Sequence, residues 1–353
     1  MTPEELTPAF LTEVLGTAVV EVAVTRVGTG QVGASYRCRL AYLDQADADG
    51  DGDAQPATVV VKLPSPDEQS RATGTSLRNY EREVRFYQHL RTSVDVTTPH
   101  CHHADWDPVG GGFVLVLEDL APAEQGDQIA GCTLEQARLA LTELAALHAP
   151  RWDDESLHDI EWLGRRMPGD AEALQQLYLM LWPGFVARYE HRLSAEELAV
   201  GDELGGLLTR WIDLRDGPYT VTHGDYRLDN MMFGTAAGGR PLAVVDWQTP
   251  GHGPGTADLS YFLGAGLLVD DRRANERALV AGYHRELVRR GVAGWGLDEC
   301  WEGYRLQSFS GVVMAVVASM IVSQTERGDD MFMAMATRHL RHAIDLDAMA
   351  MLG

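Results

Sequence analysis

Positive charge is scarce in this chain. Against 52 Asp and Glu stand 29 Lys and Arg, a formal net charge of -23 over 353 residues. A surface that acidic repels polyanions, so nucleic acid and anionic membranes are not expected partners. A small anion can still be held where local cations and amides outweigh the bulk charge. Cysteine is also sparse: Cys38, Cys101, Cys132 and Cys300 are scattered and form no C-x-x-C. They read as reduced thiols rather than a disulfide framework. A long hydrophobic run is missing too. The longest, about Gly311 to Val322, falls short of the roughly 20 residues a bilayer span needs and reads as a buried core helix. The opening Met1-Thr2-Pro3-Glu4-Glu5 lacks the basic start of a secretion signal. Together these features lead us to expect a cytoplasmic protein with no membrane partner, either a monomer or a homodimer. No internal repeat or long disordered tract is visible, and the length suits two lobes with ample core material.

The chain is organised around Val221-Thr222-His223-Gly224-Asp225-Tyr226-Arg227-Leu228-Asp229-Asn230-Met231-Met232-Phe233. It reads as strand, polar loop, strand. A second apolar run, Leu242-Ala243-Val244-Val245, ends in Asp246-Trp247-Gln248. Asp and Asn are common turn residues, and an isolated D-x-x-x-x-N would mean no more than that. Here His-Gly precedes the Asp, and a strand ending in Asp follows. Kinase catalytic loops use this layout: the Asp orients a substrate hydroxyl and accepts its proton, and the Asn holds a magnesium ion on the nucleotide. Asp246 stands where kinases place their other metal-binding carboxylate. Magnesium takes few protein carboxylates and several waters, a demand Asn230 and Asp246 would meet.

His-Gly-Asp-x-x-x-x-Asn followed by an apolar run and Asp-Trp resembles the aminoglycoside phosphotransferase and choline kinase superfamily. Leu115-Val116-Leu117-Glu118-Asp119-Leu120 and Leu147-His148-Ala149 are similar to its ecdysteroid-kinase-like and uncharacterised bacterial branches. The resemblance runs from about Val24 to about Leu263 and is loose in the last third. It implies an α+β, bilobal, protein-kinase-like fold. Residues 1–118 would form an N-lobe of antiparallel sheet plus helix that binds the nucleotide. Residues 119–353 would form a mostly helical C-lobe with the catalytic loop, the metal site and the acceptor-binding helices. It also implies ATP and Mg2+ and a small-molecule alcohol as acceptor.

Taken in order, Pro8 to Gly16 reads as a helix and Val19 to Val27 as a strand. Gly28-Thr29-Gly30-Gln31-Val32-Gly33 then matches G-x-G-x-x-G. A dinucleotide-binding site needs a helix next, but Ala34 to Leu43 is rich in strand formers. A glycine hairpin covering ATP phosphates fits better, with Gly28, Gly30 and Gly33 letting backbone amides approach; a plain glycine turn is the other reading. Asp44 to Pro56 reads as a solvated hairpin tip. Asp47, Asp49 and Asp51 imitate half an EF-hand loop, but Thr58 stands where its closing acid belongs. Ala57 to Lys62 is a strand ending in lysine, which resembles the phosphate-contacting Lys of kinases. A helix from Ser76 to Arg91 would carry the partner of Lys62. The pattern Tyr80-x-x-Glu83-x-x-Phe86-Tyr87 selects Glu83 and leaves Glu81 solvated. His100-Cys101-His102-His103 reads as an extended loop lacking zinc spacing. The strand Val114 to Leu117 leads to the hinge, where the backbone around Glu118 and Leu120 would meet the adenine edge.

A capped amphipathic helix spans Thr133 to His148. The aromatic-rich stretch with Trp152, Trp162, Tyr178, Trp182, Phe185 and Tyr189 reads mainly as core. Its surplus rings favour a largely apolar acceptor over a polycationic aminoglycoside. The segment after Asp246 is short and lacks Ala-Pro-Glu, which argues against a protein kinase. Asp258 heads a helix and resembles the family Asp that braces the catalytic loop. From Arg272 onward the chain reads as helical, with core methionines. The expected roles are Asp225 as base, Arg227 supporting it, Asn230 and Asp246 on the metal, Lys62 on phosphates with Glu83 behind it, and Asp229 solvated. Two alternatives stand beside this one: an aminoglycoside-modifying phosphotransferase, or an inactive nucleotide-binding module.

Overall fold

The computed structural model describes residues 1–28, 32–43, 55–215, 217–322 and 324–353. Gly30, and the acidic stretch with Asp47, Asp49 and Asp51, lie outside the described residues. The chain packs as two compact units. The first comprises Met1–Thr92, Thr98–Pro122 and Val245–Thr249; the second comprises Ser93–Thr97, Ala123–Val244 and Pro250–Gly353. The units therefore interleave along the chain. Side-chain contacts of Asp246 and Trp247, given below, explain why their short segment belongs with the first unit.

The first unit opens with α1 (Pro8–Leu15), which Gly16 ends in a left-handed conformation. A five-stranded antiparallel sheet follows. Its strands are β1 (Val19–Val27), β2 (Gly33–Tyr42), β3 (Thr58–Pro64), β4 (Cys101–Trp106) and β5 (Phe113–Glu118), in spatial order β1-β2-β3-β5-β4. Alternate residues of β2 and β3, among them Cys38, Val59 and Val61, are buried in a core shared with Leu11 and Val116. That is the period-two burial expected of a sheet with one covered face. Three readings change here. Strand β3 continues two residues past Lys62. The His-rich stretch forms the start of β4, because its backbone pairs with β5. The single helix over 76–91 is replaced by α2 (Glu68–Ser76), α3 (Asn79–Arg85) and a π turn over Phe86–Leu90. Arg78, in a left-handed conformation, separates α2 from α3. A strand directly after Gly33 removes the dinucleotide-binding reading of the glycine motif.

The second unit is mostly helical. It contains β6 (Glu124–Gln125), α4 (Leu134–His148), α5 (Asp170–Tyr189), α6 (Ala195–Leu214), β7 (Tyr219–Thr222), β8 (Met231–Thr235), β9 (Gly238–Val244) and β10 (Gly251–Pro254). Then come α7 (Thr256–Gly266), α8 (Val269–Arg289), α9 (Leu297–Leu306), α10 (Ser310–Ile321) and α11 (Glu326–Asp345). Reciprocal caps start α4 (Thr133 with Gln136) and α6 (Ser194 with Glu197), each satisfying otherwise unpaired amides. The stretch Leu297–Ile321 is, by length and composition, long and apolar enough to cross a membrane. It is longer than the apolar run visible in the sequence because α9 leads almost directly into α10. More than half of its apolar window is buried; Val312, Ala315 and Val316 pack with α5 and α11 residues in the core.

Candidate functional site

In the first unit the functional side chains gather on Lys62. Strand β3 holds it between Ser35 of β2 and Leu115 of β5. Its Nζ donates to Glu83 Oε1 at 2.5 Å and to Asp246 Oδ1 at 3.0 Å. Glu83 lies on α3 and is fully buried. Burial works against the Lys62 ammonium, but the carboxylates of Asp246 and Glu83 outweigh it and push the amine above its ordinary value. Burial pushes the Glu83 carboxyl above its ordinary value, against the pull of the Lys62 charge, so the more open Asp246 is the acid left to take a further cation. The sequence also contains no other lysine: every remaining basic residue among the 29 is arginine. The chain's one ammonium thus stands between two carboxylates, as a compact point charge on a flexible stem.

Asp246 takes a left-handed backbone conformation, φ 68°, just after β9 ends. Its neighbour Trp247 is fully buried and stacks on Phe86, ring centroids 3.8 Å apart and planes 3° apart. Gln248 hydrogen-bonds Glu83. These contacts tie the segment to the turn that follows α3, so Glu83, Lys62 and Asp246 are held as a set. The Asp246 side chain remains 37% exposed. Gly28 ends β1 with φ 73°, a conformation that favours glycine. Tyr80 of α3 donates to the Val32 carbonyl at 2.6 Å, fastening the residue before Gly33 to the helix that carries Glu83. At the far end of β5, Glu118 exchanges hydrogen bonds with the His100 backbone. Asp119 takes a bidentate pair from Arg37, and half-buried Leu120 follows. Glu81 is a correction: it is buried, not solvated, because Arg78 and Arg85 both reach its carboxylate, at 2.7 and 2.9 Å.

In the second unit the loop between β7 and β8 carries Asp225, Arg227 and Asn230 together. Asp225 Oδ2 accepts from Arg227 Nε at 3.0 Å and from Asn230 Nδ2 at 2.9 Å; Oδ1 accepts from the Tyr261 hydroxyl at 2.8 Å. Burial works against the Asp225 charge, but Arg227, His223 and the Tyr261 bond together hold its carboxyl below the ordinary value. It is therefore ionised at neutral pH and able to accept a proton. Asn230 Nδ2 also donates to the Asp225 carbonyl at 2.9 Å. Both neighbours of that amide are acceptors, so its nitrogen must face them and its oxygen faces away. An amide oxygen turned away from Asp225, on a side chain that is itself buried, is a fitting ligand for a hard cation such as magnesium, and so is the part-exposed carboxylate of Asp246.

The loop is braced from three sides. Asp258, on the first turn of α7, accepts from the His223 and Gly224 amides at 2.6 and 3.0 Å, as the resemblance implies. His148 makes hydrogen bonds to Tyr283 and Asp258. Gln128, buried, accepts from the Leu228 amide, while its own amide donates to Asp229 Oδ1. Asp229 is thus a second correction. It is buried rather than solvated, and it accepts from Arg227 Nη1 at 2.5 Å. The aromatic stretch is core, as its sequence reads: Tyr178, Trp182, Phe185 and Tyr189 pack beside α6 and α10. Sequence reasoning missed Tyr261, Gln128 and Gln248. The single lysine of the sequence is a signal for Lys62, and no comparable signal marks these three.

Comparison with known proteins follows the same lines. No curated protein matches the chain. Among solved structures, an ethanolamine kinase from Plasmodium vivax superposes with a TM-score of 0.55 at 12% identity, over 95% of this chain and 84% of that one. Choline kinase from Cryptosporidium parvum gives 0.54 at 9% identity, over 94% and 90%. The GDP complex of aminoglycoside 2'-phosphotransferase-IIIa gives 0.54 at 14%, over 94% and 98%. These likenesses establish the kinase-like α+β fold. The sequence model of the phosphotransferase enzyme family matches residues 42–305, well over half of the chain. The chain belongs to the phosphotransferase enzyme family.

Proposed function

We propose that this phosphotransferase moves the γ-phosphoryl group of ATP to a hydroxyl of a small molecule. The observation that carries this reading is the Asp225 carboxylate, ionised and fixed by Arg227, Asn230 and Tyr261. The acceptor oxygen forms the new bond to phosphorus as the bond from phosphorus to the bridging oxygen of ADP breaks. Asp225 receives the acceptor's proton. Because such transfer is mostly positioning and charge stabilisation, a weakly basic but rigid carboxylate suffices. Lys62, set by Glu83, would contact the phosphates, and Gly28, Gly30 and Gly33 would cover them. The backbone near Glu118 and Leu120 would meet the base. Asn230 and Asp246 would hold Mg2+, whose charge neutralises the phosphate oxygens when bound. The part-exposed Asp246 carboxylate supports that assignment.

The test couples ADP release to panels of aminoglycosides, amino alcohols, sugars, macrolides and sterol-like alcohols, beside a thermal-shift comparison of MgATP, MgGTP and NAD. Stabilisation by MgATP and turnover with one acceptor class are expected. Stabilisation by NAD alone, or undiminished turnover in Asp225→Ala, would overturn the proposal.

A further inference from the structure

The two oxygens of Asp225 are not equivalent. A carboxylate oxygen offers about two lone-pair sites. Oδ2 already has two donors, Arg227 Nε and Asn230 Nδ2. Oδ1 has one, the Tyr261 hydroxyl. The side chain is 25% exposed, so a ligand can reach it. We infer that Oδ1 of Asp225 is the oxygen that meets the acceptor hydroxyl, and that the Tyr261 hydroxyl bonded to it is a positioning group for the transfer. The inference rests on the phosphotransfer reading above and refines it.

Tyr261 is built for a fixed direction. It sits three residues after Asp258 on α7, so the two share a helix face. One residue grips the backbone of the catalytic loop; the other grips its carboxylate. The Tyr261 ring is buried and stacks on His339, centroids 5.5 Å apart. Gly264 and Gly311 leave no room around that imidazole for a side chain of their own. The phenol thus has little freedom to swing away. Burial and the Asp225 charge keep it protonated, with its pKa well above the ordinary value, and beside an ionised carboxylate it can only donate. Its single bond leaves one lone-pair direction on Oδ1, and the acceptor O–H must approach along it. On transfer the acceptor's proton passes to Oδ1, the acceptor oxygen bonds to the γ-phosphorus, and ADP departs with the electrons of the broken bond.

The experiment uses the full chain and Mg-[γ-32P]ATP with water as acceptor, under single-turnover conditions. Tyr261→Phe keeps the ring and removes only the hydroxyl. Loss of one hydrogen bond to a charged group predicts a rate lower by roughly 10- to 100-fold. MgATP affinity is expected to stay at the wild-type value and the melting temperature to fall by only a few degrees, so that the chain is folded in the assay, and Tyr261→Phe is expected to add nothing in an Asp225→Asn background. A wild-type rate in Tyr261→Phe overturns the inference. So does a rate loss that tracks lost nucleotide affinity or lost stability, since that marks a structural role only. Absence of any transfer by the wild-type chain, to water and to every class of the acceptor panel, would instead overturn the phosphotransfer reading, and the inference with it.

Discussion

Asp246 and Asp225 are both aspartates that follow a strand, and their surroundings set them different tasks. Asp246 has one cationic partner, Lys62, which it shares with Glu83, and its side chain is the more open of the two. Asp225 has three donors drawn from its own loop and from α7. The lesson concerns lone pairs rather than charge. A carboxylate with one partner keeps ligand sites for an incoming cation. A carboxylate with three is left a single direction, which suits it to orient a hydroxyl.

The sharpest way to break this comparison is to neutralise each carboxylate in turn. Asp225→Asn is expected to lower turnover by about 10^3-fold or more, the scale of a lost general base, with MgATP affinity kept. Asp246→Asn is expected to weaken Mg2+-dependent nucleotide binding first. Titration calorimetry beside turnover separates the two, and the reverse pattern would exchange their roles. Next in size is Lys62→Arg, expected to cost about 10^2-fold in kcat/KM, comparable to removing one preorganised donor. A near-normal value would show that the ammonium's compact shape is not what the two carboxylates require.

The smallest effect concerns stability. The unit that holds Asp225 also buries His339 and His342, whose ring nitrogens have no hydrogen-bond partner. Burial, with Arg272 and Arg338 nearby, lowers the His339 pKa to about 3; burial, Arg272 and His339 take His342 well below its ordinary value. Both folded-state values lie below the unfolded value near 6.5, so the unfolded chain binds more protons. Stability is full above that pH and declines as pH falls, by about 1.4 kcal/mol per pH unit for each histidine. His339→Leu is expected to flatten the melting temperature between pH 6.5 and 5. An unchanged slope in that variant would remove His339 from the account.

Much of this was legible in the residues. The spacing of Asp225, Asn230 and Asp246, with apolar runs between, marked the strands and the loop because the polar and apolar positions are cleanly segregated. Helix α2 was not legible: Glu68-Gln69-Ser70-Arg71-Ala72-Thr73-Gly74-Thr75-Ser76 has no apolar period. Glu81 and Asp229 looked solvated because their cover comes from arginine side chains, whose stems bury neighbouring acids without leaving a hydrophobic pattern. Tyr261 was beyond reach for another reason. Its partner lies 36 residues away in sequence, and the bond depends on how α7 is placed in the second unit.

The solitary lysine has a practical corollary for anyone handling this protein. Reagents that couple to primary amines find two kinds of target here, the α-amino group and Lys62. Tethering the chain to a sensor surface or tagging it with a succinimidyl dye therefore risks altering the group that pairs with Glu83 and Asp246. The part-exposed thiols Cys101 and Cys132 are no ready substitute, since burial pushes both up to about 12 and keeps them protonated; a fused affinity tag would leave that amine untouched.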